Sequence, residues 1–173
     1  MLGMKPVPWS SIESWNCTNC GECCKRFIVY LAPHEQLAIS RAYGSEFTIP
    51  CVRGFYLPKK LDDSCAFLYS ALNRRTCAIQ HLKPLACKLW PFEVYTRAKY
   101  GRPNEASFTF RGSEFFVYLN PACHGLTYGV PSPRMTSQTV PEFVEIALGM
   151  RSQQQFSTSP LPFCVLPVVR RYV

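Results

Sequence analysis

The sequence predicts an α+β fold: a small, loop-rich single domain with short helices and an antiparallel set of strands. Its 173 residues suit one domain better than two. Fifteen prolines and nine glycines are spread along the chain, and they favour short elements joined by many loops. Between these breaks, some segments show helical periodicity and others show the apolar alternation of strands.

The first elements along the chain are an arm and a helix. Residues 1–16 are predicted to form a lead-in arm, with Trp9 and Trp15 as its anchors. The segment "PHEQLAISRAY", residues 33–43, predicts a short helix, since Pro33 suits the first helical position. The arm lacks the charged start and apolar stretch of a secretory signal, and no segment is long enough to span a bilayer. We therefore expect a cytoplasmic protein without a membrane span.

The middle of the chain predicts a β-hairpin followed by a short helix. Residues 64–69 and 76–80 are apolar runs that flank the turn-like segment "SALNRR". We expect each of the two strands to carry one cysteine, Cys65 and Cys77. Residues 82–90, "LKPLACKLW", then predict a helix of one or two turns that ends before a proline.

The second half predicts the antiparallel strands and the clearest helix. Residues 92–98, 107–112 and 115–120 alternate or run apolar, as strands do. Residues 141–156 have helical periodicity, with a proline and two glutamates near the start. The stripe of this helix that we expect to face the core comprises Phe143, Ile146, Ala147, Met150 and Phe156. Residues 157–173 are broken by prolines and predict an extended tail.

The chain is basic, with a formal net charge of +8. Such a balance is compatible with nucleic acid or another acidic partner. The positive residues are scattered in small pairs, however, which favours a solvated basic surface over a dedicated RNA interface.

Four of the ten cysteines fall within "CTNCGECC", residues 17–24. The C-x-x-C-x-x-C-C spacing lets several thiols converge on one centre, as metal–sulfur bonds of about 2.3 Å require. Burial as apolar filler is the usual alternative, but this segment has almost no other apolar residue. Disulfides are disfavoured in a reducing compartment, and a redox pair normally follows a strand, which the preceding residues do not predict. The pattern therefore favours a metal site.

Further cysteine motifs follow at wider spacing. They are Cys65-Ala-Phe-Leu68, Cys77-Ala-Ile79, Lys83-Pro84-Leu-Ala-Cys87-Lys-Leu-Trp90-Pro91-Phe92 and Cys123-His-Gly125-Leu-Thr-Tyr-Gly129. Together with residues 17–24, in this order, they resemble the cysteine-cluster family known by its CxxCxxCC signature, a zinc- or iron-chelating domain. The resemblance covers roughly residues 17–129. His124 stands where the family pattern has a proline. Cys51 and Cys164 have no counterpart, and we expect buried thiols there or, in a hyperthermophile, one disulfide.

We expect residues 17–156 to form one domain organised around cysteine-ligated metal. The resemblance implies eight ligands, which are Cys17, Cys20, Cys23, Cys24, Cys65, Cys77, Cys87 and Cys123. Eight thiolates suit two four-coordinate zinc ions, two clusters, or one cubane cluster with the other cysteines structural. We expect a [4Fe–4S] cluster, with Zn²⁺ as the alternative. Three close cysteines with a remote fourth are a common cubane pattern, and the related flagellin lysine methylases look like iron–sulfur proteins.

Charged and imidazole side chains near the cysteines are candidates to support them. Basic residues would lower the cost of forming thiolates, and those beside the cysteines are Lys25, Arg26, Arg74, Arg75, Lys83 and Lys88. His81 and His124 are candidates to orient a ligand, whereas we expect His34 at the surface.

The function predicted from these observations is metal binding with a structural, redox or assembly role, inside a larger protein or ribonucleoprotein assembly. One alternative is a zinc-binding, RNA- or ribosome-associated module. It is motivated by the charge and by three aromatic residues expected to be exposed, Tyr95, Tyr100 and Phe110. Another is a protein-lysine methyltransferase-like enzyme. The chain is short for such an enzyme and shows no cofactor or catalytic motif, which favours a non-enzymatic role.

Overall fold

Short strands and short helices alternate throughout residues 5–71 and 74–155, which are the residues that the computed structural model describes. The strands, in chain order, are β1 Val7–Pro8, β2 Ile12–Trp15, β3 Tyr30–Leu31, β4 Ile49–Cys51, β5 Gly54–Tyr56, β6 Leu68–Ala71, β7 Arg74–Cys77, β8 Phe92–Tyr95, β9 Ser107–Phe110, β10 Ser113–Leu119 and β11 Leu126–Tyr128. The helices are α1 Cys23–Arg26, α2 Pro33–Tyr43, α3 Leu85–Leu89, α4 Pro103–Ala106 and α5 Val140–Ala147. A stretch of π-helix, Met135–Thr139, leads into α5.

Strand β10 is the centre of a four-stranded antiparallel sheet with β1, β8 and β9. Its residues Phe115, Val117 and Leu119 are two apart, so they project from the same face and are all buried in one core. Leu119 lies opposite Phe92 of β8, which adds a ring to that core. The antiparallel strand set predicted from the sequence is thereby confirmed.

Three smaller antiparallel sheets complete the β structure of the described residues. β2 pairs with β11, where Trp15 lies opposite Leu126. The expectation that no strand precedes the cysteine segment is therefore wrong, because β2 ends two residues before Cys17. β5 is the middle strand between β3 and β4. β6 and β7 form the predicted hairpin, and Leu68 lies opposite Cys77. The prediction that both hairpin strands carry a cysteine is wrong for Cys65, which precedes β6 and makes an isolated bridge with Lys59.

Three helices, α2, α3 and α5, match the predictions in place but not always in length, whereas α1 and α4 were not predicted. α2 has the predicted bounds, and α3 occupies the middle of the predicted segment 82–90. α5 is much shorter than the predicted 141–156, because Gly149 adopts a left-handed backbone with φ 72° and stops the helix. Met150 lies beyond that stop and is 56% exposed, so its predicted place in the core is wrong. Phe156 lies outside the described residues.

The apolar side chains gather in two cores. The first is formed mainly by β2, β8, β10 and α5, and its buried members are Ile12, Trp15, Phe92, Phe115, Val117, Leu119, Met135, Val140, Phe143 and Val144. The second involves β3, α2 and the residues around the hairpin, and its buried members are Val29, Leu31, Ile39, Leu57, Cys65, Phe67 and Ile79. Trp9 packs against the first core, which already contains Trp15, so both tryptophans anchor the N-terminal residues as predicted.

None of the helices in the described ranges combines the length and the apolar character that crossing a bilayer demands. The predicted tail, residues 157–173, and Cys164 within it lie outside the described residues.

Candidate metal centre

All eight cysteines predicted as ligands line one cavity, which also touches residues of both cores, such as Trp15 and Ile79. The cysteines are Cys17, Cys20, Cys23, Cys24, Cys65, Cys77, Cys87 and Cys123. The cavity volume is about 80 Å³. This is far below the roughly 300–1,000 Å³ of organic ligand pockets and is of the size of a few water molecules. The space suits a metal ion or a compact inorganic group.

The CxxCG segment is held against the β6–β7 hairpin. The guanidinium of Arg75 donates to the carbonyl of Cys20 at 3.0 Å, and the Arg75 amide donates to the carbonyl of Asn19 at 3.2 Å. Gly21 adopts φ 74°, and a Cβ there would lie 2.7 Å from Cδ of Arg75. A glycine is therefore required both by the backbone conformation and by the close packing of Arg75. The next turn begins α1, which starts at Cys23.

The pairing of β2 with β11 brings Cys123 to the beginning of the same segment. The amide of Asn16 donates to the carbonyl of Gly125 at 3.0 Å, and the indole N–H of Trp15 donates to Sγ of Cys123 at 3.3 Å. A Cβ on Gly125 would lie only 2.0 Å from the carbonyl oxygen of Asn16. The glycine of the C-x-G motif thus permits the close backbone approach that places Cys123 beside residues 15–17.

The other three remote cysteines come from the second core and its surroundings. The amide of Cys65 donates to the carbonyl of Cys24 at 2.8 Å, which ties Cys65 directly to the CxxCxxCC segment. Cys77 is the last residue of β7, and Cys87 lies in α3. Both pack against the second core together with Cys24.

Burial raises the pKa of five of these thiols, because a thiolate is poorly solvated there: Cys17, Cys65, Cys77, Cys87 and Cys123. The adjacent pair behaves differently. The sulfurs of Cys23 and Cys24 are 4.0 Å apart and share a hydrogen bond. This bond lowers the pKa of Cys23 and raises that of Cys24, since one sulfur accepts the proton of the other.

Lys83 is the main cation that counteracts this burial. Its ammonium lowers the pKa of Cys17, Cys23, Cys77 and Cys87, although burial outweighs it at three of them. Lys83 also lines the cavity, as does Arg75, whereas Lys25, Arg26 and Lys88 are not among its lining residues. The side chain of Arg74 is outside the described part of the structure.

Several predicted residues lie elsewhere. His34, His81 and His124 are exposed and do not line the cavity, and the ring of His81 contacts the hydroxyl of Tyr43 at 3.5 Å. Cys51 is exposed, so the prediction that it is buried is wrong. The nine cysteines within the described ranges are all free thiols.

Sequence reasoning missed Gln154, whose side chain lines the cavity and donates to the carbonyl of Lys88. No motif spacing could have revealed this, since Gln154 reaches the site through the turn that follows α5. Across the described residues, no three Cys, His, Asp or Glu side chains already lie close enough together to hold a metal ion.

Comparison with known proteins places the cysteine pattern in a family. A family model matches residues 16–124, which is well over half of the chain and includes all eight cavity cysteines. No curated protein and no solved structure matches the chain. The chain belongs to the CxxCxxCC family, described as "Putative zinc- or iron-chelating domain".

Proposed function

We propose that this protein binds metal through its cavity cysteines, that it holds an iron–sulfur cluster of the [4Fe–4S] type, and that its role is structural, redox or in assembly. The observation that carries the proposal is that eight thiols from distant parts of the chain line one small cavity between two apolar cores. Ordinary core packing would not require cysteine at all eight of these positions.

The chemistry of the donor set fits such a group. Eight thiols line the cavity and Glu22 is the carboxylate beside them, and soft thiolates select zinc, copper(I) or iron–sulfur clusters over hard cations. Three close cysteines with remote partners favour the cluster within this set. When bound, an iron–sulfur cluster would supply one-electron chemistry or a cross-link between loops.

The protein's own residues would prepare the cavity for this group. The apolar side chains of the two cores pack against six of the thiols, and the cavity cysteines are half-buried except for Cys65, which is buried. Lys83 offsets the negative charge of thiolates, and the Trp15 N–H donates to the sulfur of Cys123. Gly21 and Gly125 allow the close backbone approaches that bring the cysteine segments together.

Anaerobic purification followed by iron, sulfide and zinc analysis and a visible absorption spectrum tests the proposal. We expect a brown protein with broad visible absorbance and with iron and acid-labile sulfide in equal amounts. The variant Cys87→Ser should lose much of both, whereas Cys51→Ser, which changes an exposed thiol away from the cavity, should retain them. If the protein is colourless and contains zinc, the proposed group is zinc rather than a cluster. If it contains neither iron nor zinc, the proposal of metal binding is refuted.

The net charge of +8 favours a second candidate, a zinc-binding RNA- or ribosome-associated module. The aromatic residues offer it less support than the charge does. Tyr95 and Tyr100 are half-buried rather than exposed, and both hydroxyls donate to the carboxylate of Glu93. Co-sedimentation with ribosomes at low salt and release at high salt would favour this candidate, and absence of co-sedimentation at low salt would remove it.

A further inference from the structure

The cavity cysteines are divided between the two cores. Cys17 and Cys123 pack against the first core. Four others belong to the second core or pack against it: Cys24, Cys65, Cys77 and Cys87. Cys20 and Cys23 occupy the short stretch of chain that runs from Cys17, at the first core, to Cys24, at the second. The thiols therefore do not surround a single point of the fold.

Separate hydrogen bonds hold each group together. On the first side, the Asn16 amide donates to the Gly125 carbonyl, and the Trp15 indole donates to Sγ of Cys123. These bonds hold Cys123 next to the residues that precede Cys17. On the second side, the Cys65 amide donates to the Cys24 carbonyl. The amide that follows Cys77 donates to the carbonyl of Phe67 at 2.9 Å.

Cys23 lies at the junction of the two groups. Its sulfur is 4.0 Å from that of Cys24, which packs against the second core. In the other direction, the chain leads back from Cys23 through Cys20 to Cys17, which packs against the first core.

We infer that the cavity cysteines form two separate four-thiolate metal sites when metal binds. Binding must draw the side chains of each site together, because no three metal-binding side chains in the described residues yet lie close enough to hold an ion. The first quartet is Cys17, Cys20, Cys23 and Cys123, and the second quartet is Cys24, Cys65, Cys77 and Cys87. Cys23 joins the first quartet because the second core already supplies four thiols without it. The adjacent Cys23 and Cys24 then serve different metals, which explains why the motif ends in two consecutive cysteines. This inference rests on the proposed function and specifies how its ligands are shared.

Cobalt(II) titration of the reduced, metal-free full chain tests the division, because a four-thiolate cobalt site has intense absorption that can be counted. The wild type should bind two equivalents with this absorption. Each within-quartet double variant, Cys17→Ser/Cys123→Ser or Cys65→Ser/Cys77→Ser, should retain one. The across-quartet variant Cys17→Ser/Cys65→Ser lacks the same number of thiols, but it should bind no cobalt with this absorption because each quartet has lost one ligand.

Equal cobalt binding by the within-quartet and across-quartet variants would overturn the division, as would a single equivalent in the wild type. A single equivalent in the wild type would leave the proposed metal binding intact. A wild type without thiolate–cobalt absorption would overturn both the two-site division and the proposed metal binding. There are two within-quartet variants, so if one of them folds poorly the other still tests the division.

Discussion

Lys83 makes deprotonation of the cavity thiols less unfavourable, since its ammonium lowers the pKa of four of them. We expect Lys83→Met to weaken metal binding by about tenfold, because the four thiolates lose the nearby cation that stabilises them. Competition with a chromophoric chelator measures this change. Lys88→Met is the matched control, because Lys88 follows Cys87 directly but does not line the cavity. Equal affinities of the two variants would contradict this role for Lys83.

Gly125 is required by space rather than by an unusual backbone conformation. A methyl group there would collide with the Asn16 carbonyl at 2.0 Å and separate Cys123 from Cys17. We expect Gly125→Ala to reduce metal content at least severalfold. Gly101→Ala is the comparison, because Gly101 has φ 82° but open space around it. That change should cost about 1 kcal/mol of stability through backbone strain and leave metal content unchanged. Metal analysis of both purified variants provides the measurement, and normal metal content in Gly125→Ala would refute the steric argument.

At this scale the sequence predicts which cysteines share a cavity, because motif spacing and family resemblance identify all eight of them. It does not distinguish Lys83 from Lys88, or Gln154 from its neighbours. Those distinctions depend on which side of a helix or turn faces the cavity, and short irregular elements such as α3 have too little periodicity to reveal it.

At the scale of elements, α5 supports the first core through Phe143. This ring is fully buried, stacks on Phe92 with centroids 3.7 Å apart and meets Trp15 edge-on at 5.2 Å. Phe143→Ala should lower the free energy of unfolding by about 3–5 kcal/mol, because it leaves a cavity in a packed core. Met150→Ala should change it by less than about 0.5 kcal/mol, since Met150 is exposed. Chemical denaturation of both variants checks this, and similar losses of stability would show that the helix extends beyond Gly149.

The elements differ in how well the sequence predicts them. α2 has a proline at its start and a glycine at its end, so both bounds follow from local chemistry. The end of α5 was missed because apolar residues continue past Gly149 at helical spacing, while the backbone there turns left-handed. Cys65 lies before β6 because its amide bonds to Cys24, a long-range contact that overrides its apolar, strand-like neighbours.

At the scale of the whole molecule, the partly buried thiols make stability depend on pH in opposite ways with and without metal. Their pKa is raised in the folded state, so folding favours the neutral thiol. This contribution is complete below the unfolded-state pKa of about 8.5 and is lost as the pH rises through the folded pKa. The lowered pKa of Cys23 makes the opposite contribution to the pH dependence of stability, but it is that of a single thiol.

We therefore expect the metal-free protein to lose stability progressively as the pH rises above about 8.5. The metal-loaded protein should gain stability relative to the metal-free form over the same range, because protons compete with metal for thiolates. Thermal unfolding of both forms in matched buffers measures the two trends. Parallel pH profiles of the two forms would mean that the cavity thiols do not bind the metal.

The central claim is that cysteines from the length of the chain hold metal in one cavity, and thiol protection tests it most directly. The metal-loaded protein is alkylated anaerobically before and after chelation, and the modified residues are mapped by mass spectrometry. We predict that Cys51 is labelled in both states. The thiols predicted to be protected until chelation are Cys17, Cys20, Cys23, Cys24, Cys65, Cys77, Cys87 and Cys123. Labelling of the four remote cysteines in the loaded protein, with protection confined to residues 17–24, would contradict the account.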